Sequence, residues 1–424
     1  MYLGVLGRQP EIGLAELKSV FGEKNVSGHG KLAVINVDFE IDLKSFERLG
    51  GTIKLAEVVS DDWNKIINLL PTGGKVTIGL STYNTDLTVK TITKIAKEIK
   101  KIRKNVRFVP NNKPDLSSAT VFHNKLTTRS NRYEFILTEI DGEKILARTL
   151  YSQNINSYSS RDFDRPKRDA KVGMLPPKLA QIMVNLAVRD SENRYTIKPS
   201  NNKDNKAATV PVVLDPFCGT GVVLQEAALM GFNVYGTDIE ERMIDFSITN
   251  LKWLSSRFHI NFFDKLEVGD SESFEWQSVI NFVVSEVYLG KPFLIEPTLT
   301  VLKANVKNCN SIVEGFIKNI SQQVDQDVRM CIAVPAWFVD GKTYRLPIIK
   351  KLRSFGFEQQ KISNKPLIYR RDDQIVGREL LVLKKIDGAG IISDENNKVN
   401  DALSLSNTQK KGKKAPSLDS FNYL

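Results

Sequence analysis

Residues 211–221 read Pro-Val-Val-Leu-Asp-Pro-Phe-Cys-Gly-Thr-Gly. Val212–Leu214 is a short apolar run that ends at Asp215. Gly219 and Gly221 follow, and an apolar helical pattern then occupies Val222–Met230. The order is buried strand, acidic residue, glycine turn, helix. Glycine lets the main chain approach a ligand closely and adopt positive φ, so the run describes a bare-backbone pocket with a carboxylate at its rim. A phosphate-binding loop would carry Lys-Ser or Lys-Thr after its glycines, where this chain has Val222-Val223. A dinucleotide site would space its glycines differently, and Asp215 would repel a pyrophosphate. What fits is a small cationic ligand whose amine Asp215 can hold.

Two further carboxylates extend the pattern. Asn233–Thr237 reads as a second strand and ends in Asp238, which can accept from both hydroxyls of a ribose. Leu266–Val268 reads as a third and leads into Gly269-Asp270-Ser271, where Asp270 can accept from an adenine amino group. An aspartate at a strand end often serves only as a helix cap, but three in order at successive strand ends describe one nucleoside site. The zwitterionic, cationic ligand of that description is S-adenosylmethionine (SAM). Cys218, inside the turn, reads as a small filler, since no base lies near it in sequence. From Val210 to about Lys385 strands and helices alternate, the pattern of an α/β doubly wound parallel sheet. Gln374–Lys384 reads as an antiparallel return strand at its edge.

The chain around this core has 424 residues, enough for about two to four domains, and an ordinary globular composition of 41% hydrophobic and 26% charged residues. Its net charge of +11 favours an anionic partner, nucleic acid first. Cys218, Cys309 and Cys331, like His29, His123 and His259, stand too far apart for a disulfide framework or a metal-ligand pattern, so no metal is expected. Met1–Arg8 lacks the features of a signal peptide, and no stretch reaches the length of a membrane span. The expectation is a cytoplasmic protein without a membrane partner.

Before the linker the chain is α+β. Strands are expected at Tyr2–Leu6, Leu32–Val37 and Lys75–Leu80, helices at Glu11–Phe21 and Val89–Lys104, and a hairpin around Asp141-Gly142. The second helix turns Lys97, Lys101 and Lys104 away from its apolar face. Alone this reads as a solvated face; with Lys125 and Arg129 nearby it reads as a nucleic-acid surface. Ser152–Gly173 is a polar, charged linker whose Arg165 and Lys167 are expected to join that surface. Pro176–Ala187 is a helix begun by prolines, and Asp387–Leu424 has the composition of a disordered tail.

Asp-Pro-Phe-Cys-Gly-Thr-Gly resembles motif I of the Rossmann-fold methyltransferases that modify exocyclic amino groups of nucleic-acid bases. Gly173-Met-Leu-Pro-Pro-Lys-Leu-Ala-Gln-Ile-Met-Val-Asn-Leu-Ala187 resembles the segment before motif I in the THUMP-containing tRNA guanosine-N2 methyltransferases of the guanosine-10 type. Tyr2–Leu17 and Leu116–Leu126 are similar to that family's N-terminal and THUMP segments. The resemblance implies a ferredoxin-like domain (1–65), a THUMP-like RNA-binding domain (66–151), a linker (152–172), a seven-stranded methyltransferase domain (173–386) and a tail (387–424). It implies that Asp215, Gly219 and Gly221 line the methionine end of SAM, with Asp238 at the ribose and Asp270 at the adenine, and Phe217 is expected among the cofactor-binding residues. tRNA is the implied partner. Eukaryotic members work with a small activating subunit, and a partner of that kind is open to this chain.

One motif departs from the family. After the fourth strand, expected at Ile280–Val284, the family carries an Asp-Pro-Pro-Tyr type motif; here Ser285-Glu286-Val287-Tyr288 stands there. Guanine N2 is a poor nucleophile, so the chemistry needs a hydrogen-bond acceptor to align it and an aromatic face to stack on the base. Glu286 and Tyr288 are the residues expected to supply them. A DNA adenine-N6 or cytosine-N4 methyltransferase shares motif I, and a non-catalytic tRNA-binding protein could keep the same fold; these are the alternatives.

Overall fold

A computed structural model describes residues 1–127, 131–169, 174–188 and 210–386 and the backbone of 422–423. It divides into two compact units, Met1–Arg165 with Pro176–Lys206, and Pro166–Leu175 with Ala207–Leu424.

The first unit is built on one eight-stranded sheet. Its strands are β1 (Tyr2–Leu6), β2 (Val26–His29), β3 (Leu32–Ile35), β4 (Thr52–Ser60), β5 (Val76–Tyr83), β6 (Val106–Phe108), β7 (Arg132–Ile140) and β8 (Glu143–Ser152), in the order β2-β3-β1-β4-β8-β7-β5-β6. The sheet runs unbroken past residue 65, because β4 pairs antiparallel with β8. The β7–β8 hairpin turns at Asp141 and Gly142, both at positive φ, as a two-residue turn between twisted strands requires. The helices are α1 (Pro10–Phe21), α2 (Leu43–Glu47), α3 (Val89–Ile102), α4 (Ser118–His123), α5 (Ile155–Ser159) and α6 (Pro177–Val188). α3 buries Ile92 and Ile99, and the Thr88 hydroxyl caps its first turn. α5 lies where a linker is expected; the Asn154 side chain caps it through the Ser157 N–H.

α6, whose sequence resembles a pre-motif segment of a methyltransferase domain, packs against α1 and clusters with the first unit. Backbone crowding explains the glycines beneath it. A Cβ on Gly50 would come within 2.2 Å of the Lys178 carbonyl oxygen, and one on Gly51 within 2.6 Å of Gly13 Cα. The Glu16 carboxylate, buried between these elements, accepts from the N–H groups of Gly50 and Gly51 and from Asn185 Nδ2 at 2.7–2.8 Å.

The second unit places β9 (Val212–Asp215), α7 (Val222–Leu229), β10 (Asn233–Asp238), α8 (Glu241–Phe258), β11 (Asp264–Val268), β12 (Phe282–Glu286), α9 (Leu299–Ser321) and β13 (Arg329–Val339) in alternation. β14 (Lys342–Arg345), β15 (Phe357–Gln359), β16 (Ile368–Tyr369) and β17 (Val376–Lys385) follow. The strands β11-β10-β9-β12-β13 are parallel, and β17 runs antiparallel beside β13 from Arg329↔Lys384 to Trp337↔Val376. With β15 beyond it, this is the expected doubly wound sheet of the Rossmann type, and the winding reverses between β9 and β12. The core between sheet and α9 is dense: Val306, Cys309, Val313, Phe316, Ile317 and Ile320 pack with Val283, Ile332 and Trp337. Two residues of the expected tail, Asn422–Tyr423 (β18), pair parallel with β14; the rest of that tail lies outside the described residues. Among the described residues no helix is long and apolar enough to cross a membrane.

The first sheet holds a charged pair with no exposed surface. Lys54 Nζ of β4 lies 2.5 Å from Glu134 Oε1 of β7, and Ser81, Thr149 and the Leu116 carbonyl satisfy the remaining bonds. Removing one partner of a buried pair leaves an uncompensated charge, whereas removing both charges can be nearly neutral. Lys54→Met should therefore lower unfolding stability by about 3–5 kcal/mol, and Lys54→Met with Glu134→Gln should recover most of that loss in urea titrations.

Candidate active site

The carboxyl ends of β9, β10 and β12 meet where the winding reverses, the place at which open α/β sheets hold ligands. Asp215 ends β9 and is 2% exposed. Its Oδ1 accepts from Ser285 Oγ at 2.6 Å and from the Phe217 N–H at 3.2 Å; its Oδ2 takes no hydrogen bond among the described residues. Burial pushes its pKa up to about 7 against the lowering effect of those bonds, and the charges of Asp238 and Glu286 add to the rise.

The glycine turn follows directly. Gly219 has a φ of +50°, and a Cβ built there would meet nothing within 4 Å among the described residues, so its backbone is open on that side. Its N–H donates to Asp238 Oδ2 at 2.9 Å, while Asp238 Oδ1 accepts from the Glu240 N–H at 3.0 Å. Each Asp238 oxygen keeps lone-pair capacity for a further donor. Burial raises the Asp238 pKa, opposed by these two bonds. Gly221, at φ +79°, lies against α8: a Cβ there would approach Ser247 Oγ to 2.9 Å, and that hydroxyl donates to the Gly219 carbonyl. Cys218 is a buried filler whose thiol burial holds far above its usual pKa. The Phe217 ring packs edge-on against Phe316 of α9 at 5.3 Å.

Asp270 is exposed in the loop after β11, and its carboxylate accepts from the Glu272 N–H. The loop is drawn to the site by the Gly269 N–H, which donates to the Asp238 carbonyl oxygen at 2.9 Å.

Glu286 is the last residue of β12, so the strand runs two residues further than its apolar pattern indicates. Its carboxylate is ion-paired with the Arg378 guanidinium of β17. Burial raises its pKa and Arg378 opposes the rise. Tyr288 follows, 39% exposed. Sequence reasoning gave Ser285, the first residue of the departed motif, no role, and missed Ser247 and Arg378. Ser247 carries no motif. Arg378 stands 92 residues beyond Glu286, and only the pairing of β17 with β13 brings it alongside.

The expected RNA-contact residues separate into groups. Lys97 and Lys104 line a groove of about 900 Å³ in the first unit together with Lys75, Lys100, Arg107 and Arg132; no acidic residue lines it among the described residues. Lys101 lies outside that lining, in an exposed ion pair with Glu98 at 2.8 Å. Lys125 is exposed on a turn at φ +55°. Lys167 is exposed in the second unit, its ammonium over the Phe246 ring. Arg165 is 2% exposed, a correction to its expected place on the RNA surface, because its guanidinium is taken up in the interior. Arg129 lies outside the described residues.

The chain matches no protein-family model. It is 25% identical over 299 residues to a protein of Pyrococcus abyssi named tRNA (guanine(10)-N2)-dimethyltransferase, a match that spans 69% of this chain and 75% of that one. A protein of Methanothermococcus thermolithotrophicus named probable tRNA (guanine(10)-N2)-dimethyltransferase is 40% identical over 72 residues, 17% of this chain and 44% of the relative. Among solved structures, TrmN from Thermus thermophilus aligns over 91% of this chain and 99% of its own at 13% identity, with a TM-score of 0.48. By sequence, the chain is a homologue of proteins named tRNA (guanine(10)-N2)-dimethyltransferase.

Proposed function

We propose that this chain is a SAM-dependent tRNA (guanine-N2)-methyltransferase of the cytoplasm, acting on guanosine 10. The observation that carries the reading is the open backbone at Gly219, held by Asp238, beside the buried Asp215 that feels the charge of Asp238. Two carboxylates beside bare backbone suit a cationic nucleoside, and Asp215 has a free oxygen to offer an ammonium group. SAM, when bound, supplies an electrophilic methyl group. Asp215 would hold the amino-acid end, Asp238 the ribose hydroxyls and Asp270 the adenine side.

The chain's own groups would then prepare the base. Extruding a guanine costs a few kcal/mol, and Tyr288 offers an exposed ring to stack against it. Glu286 would accept a hydrogen bond from the exocyclic amine, orient its lone pair and take the proton released as the nitrogen–carbon bond forms. Arg378 would hold that carboxylate in one orientation, which matters because an error of about an ångström can cost on the order of 100-fold in rate. The six-cation groove would grip tRNA phosphates, the contacts that position a substrate without reading its sequence.

Incubation with methyl-labelled SAM and bulk tRNA, followed by nucleoside mass spectrometry, should yield N2-methylated guanosine; label in duplex DNA and none in tRNA would refute the reading. Glu286→Gln should reduce transfer by about 100-fold while leaving SAM affinity nearly unchanged, and Arg378→Met should move the acid limb of the rate profile to higher pH.

SAM affinity should also depend on pH. With its pKa near 7, Asp215 holds a proton in acid and must release it to accept a cation. The dissociation constant should fall as pH rises from 5.5 to 7.5, by up to about tenfold per unit below pH 7. Calorimetry on Asp215→Asn should show weaker binding with that slope flattened.

A further inference from the structure

The loop between Tyr288 and α9 is pinned at three places and bare at its tip. The Lys291 N–H donates to Asn305 Oδ1 at 3.0 Å, the Phe293 ring packs against the main core, and Glu296 accepts from the Asp340 N–H. Gly290 permits the entry: it has a φ of +85°, and a Cβ there would lie 2.6 Å from Asn305 Nδ2. Between these anchors Leu294 is 98% and Ile295 81% exposed.

A single exposed leucine needs no explanation. Two adjacent aliphatic side chains held outward on a braced loop, six residues after Tyr288, form a built protrusion. We infer that Leu294 and Ile295 act as an apolar wedge that enters the RNA base stack and fills the gap left when the target base is extruded. The inference rests on the tRNA reading above. Proteins that unstack nucleic acid insert Leu, Ile, Met or Phe in this way, and base extrusion is the step that needs such a filler. Lys291, three residues before the tip, is exposed and can meet a phosphate, while Glu296 just after it accepts from the Asp340 N–H. A stable protein interface, by contrast, buries on the order of 1,600 Å², far more than a two-residue tip presents.

The test compares single-turnover transfer by wild type and by Leu294→Ala with Ile295→Ala on two transcripts. One is an intact tRNA; in the other the partner of the target guanine is changed so that the base is already unpaired. The double variant should be slower on the intact transcript by about 10- to 100-fold, within about threefold of wild type on the unpaired one, and unchanged in SAM affinity, which reports folding. Leu294→Met with Ile295→Leu should retain the wild-type rate. Equal losses on both transcripts, or no loss on the intact one, would overturn the wedge. So would unchanged tRNA kinetics in a variant that has lost self-association or vesicle binding, because the tip would then dock elsewhere. A wild type that labels no tRNA removes the premise and the wedge together, whereas active wild type with an unaffected variant removes the wedge alone.

Discussion

Asp215 is buried at the tip of β9, and the two groups that donate to it, a hydroxyl and an amide, are both neutral. An ionised carboxylate in such a place is held up in free energy until a cation arrives. The surrounding geometry answers that constraint. Ser285 turns its hydroxyl onto Oδ1 and so ties the end of β12 to the end of β9, the two strands between which the winding reverses. The Gly219 backbone stays bare, and Asp238 secures the turn from the neighbouring strand. A pocket assembled in this way is preorganised for positive charge before any ligand enters.

Where the family carries an Asp-Pro-Pro-Tyr type motif, this chain has a serine at position 285, and its hydroxyl donates to Asp215. A carboxylate at Glu286, raised in pKa by its burial and adding to the rise at Asp215, calls for a counter-charge. Arg378 provides one from β17, the strand that returns antiparallel along β13. Ser285 with Asp215 and Arg378 with Glu286 thus pair each carboxylate with a donor.

The first unit handles buried charge differently. Lys54 and Glu134 neutralise each other across the sheet, and neighbouring hydroxyls and a carbonyl complete their bonds. Glu16 has no cation beside it among the described residues. Its carboxyl is pushed up to about 7 by burial while two backbone amides and Asn185 donate to it. Those donors come from the turn at Gly50-Gly51 and from α6, so one acidic side chain on α1 gathers elements far apart in sequence. That is the physical reason α6, which precedes the glycine-turn motif along the chain, belongs to the N-terminal unit, an allegiance its own amphipathic pattern does not carry.

The strand–aspartate–glycine-turn order, the second aspartate and the alternation of strands and helices were legible in residues 211–385, because each depends on neighbours within one βα unit, where periodicity and glycine placement express the backbone directly. The lysine face of α3 was legible for the same reason. Pairings across the sheet were not: Ser285 with Asp215, Arg378 with Glu286, the unbroken run of β4 into β8. Arg165 reads as a surface cation in a polar stretch and is interior, since burial depends on what folds over a residue and not on its flanks. Local order along the chain therefore determined the kind of ligand pocket and the class of fold. Tertiary structure alone decided which charges meet inside that pocket, because a buried charge is stable only beside partners that strand register, and not sequence separation, brings within reach.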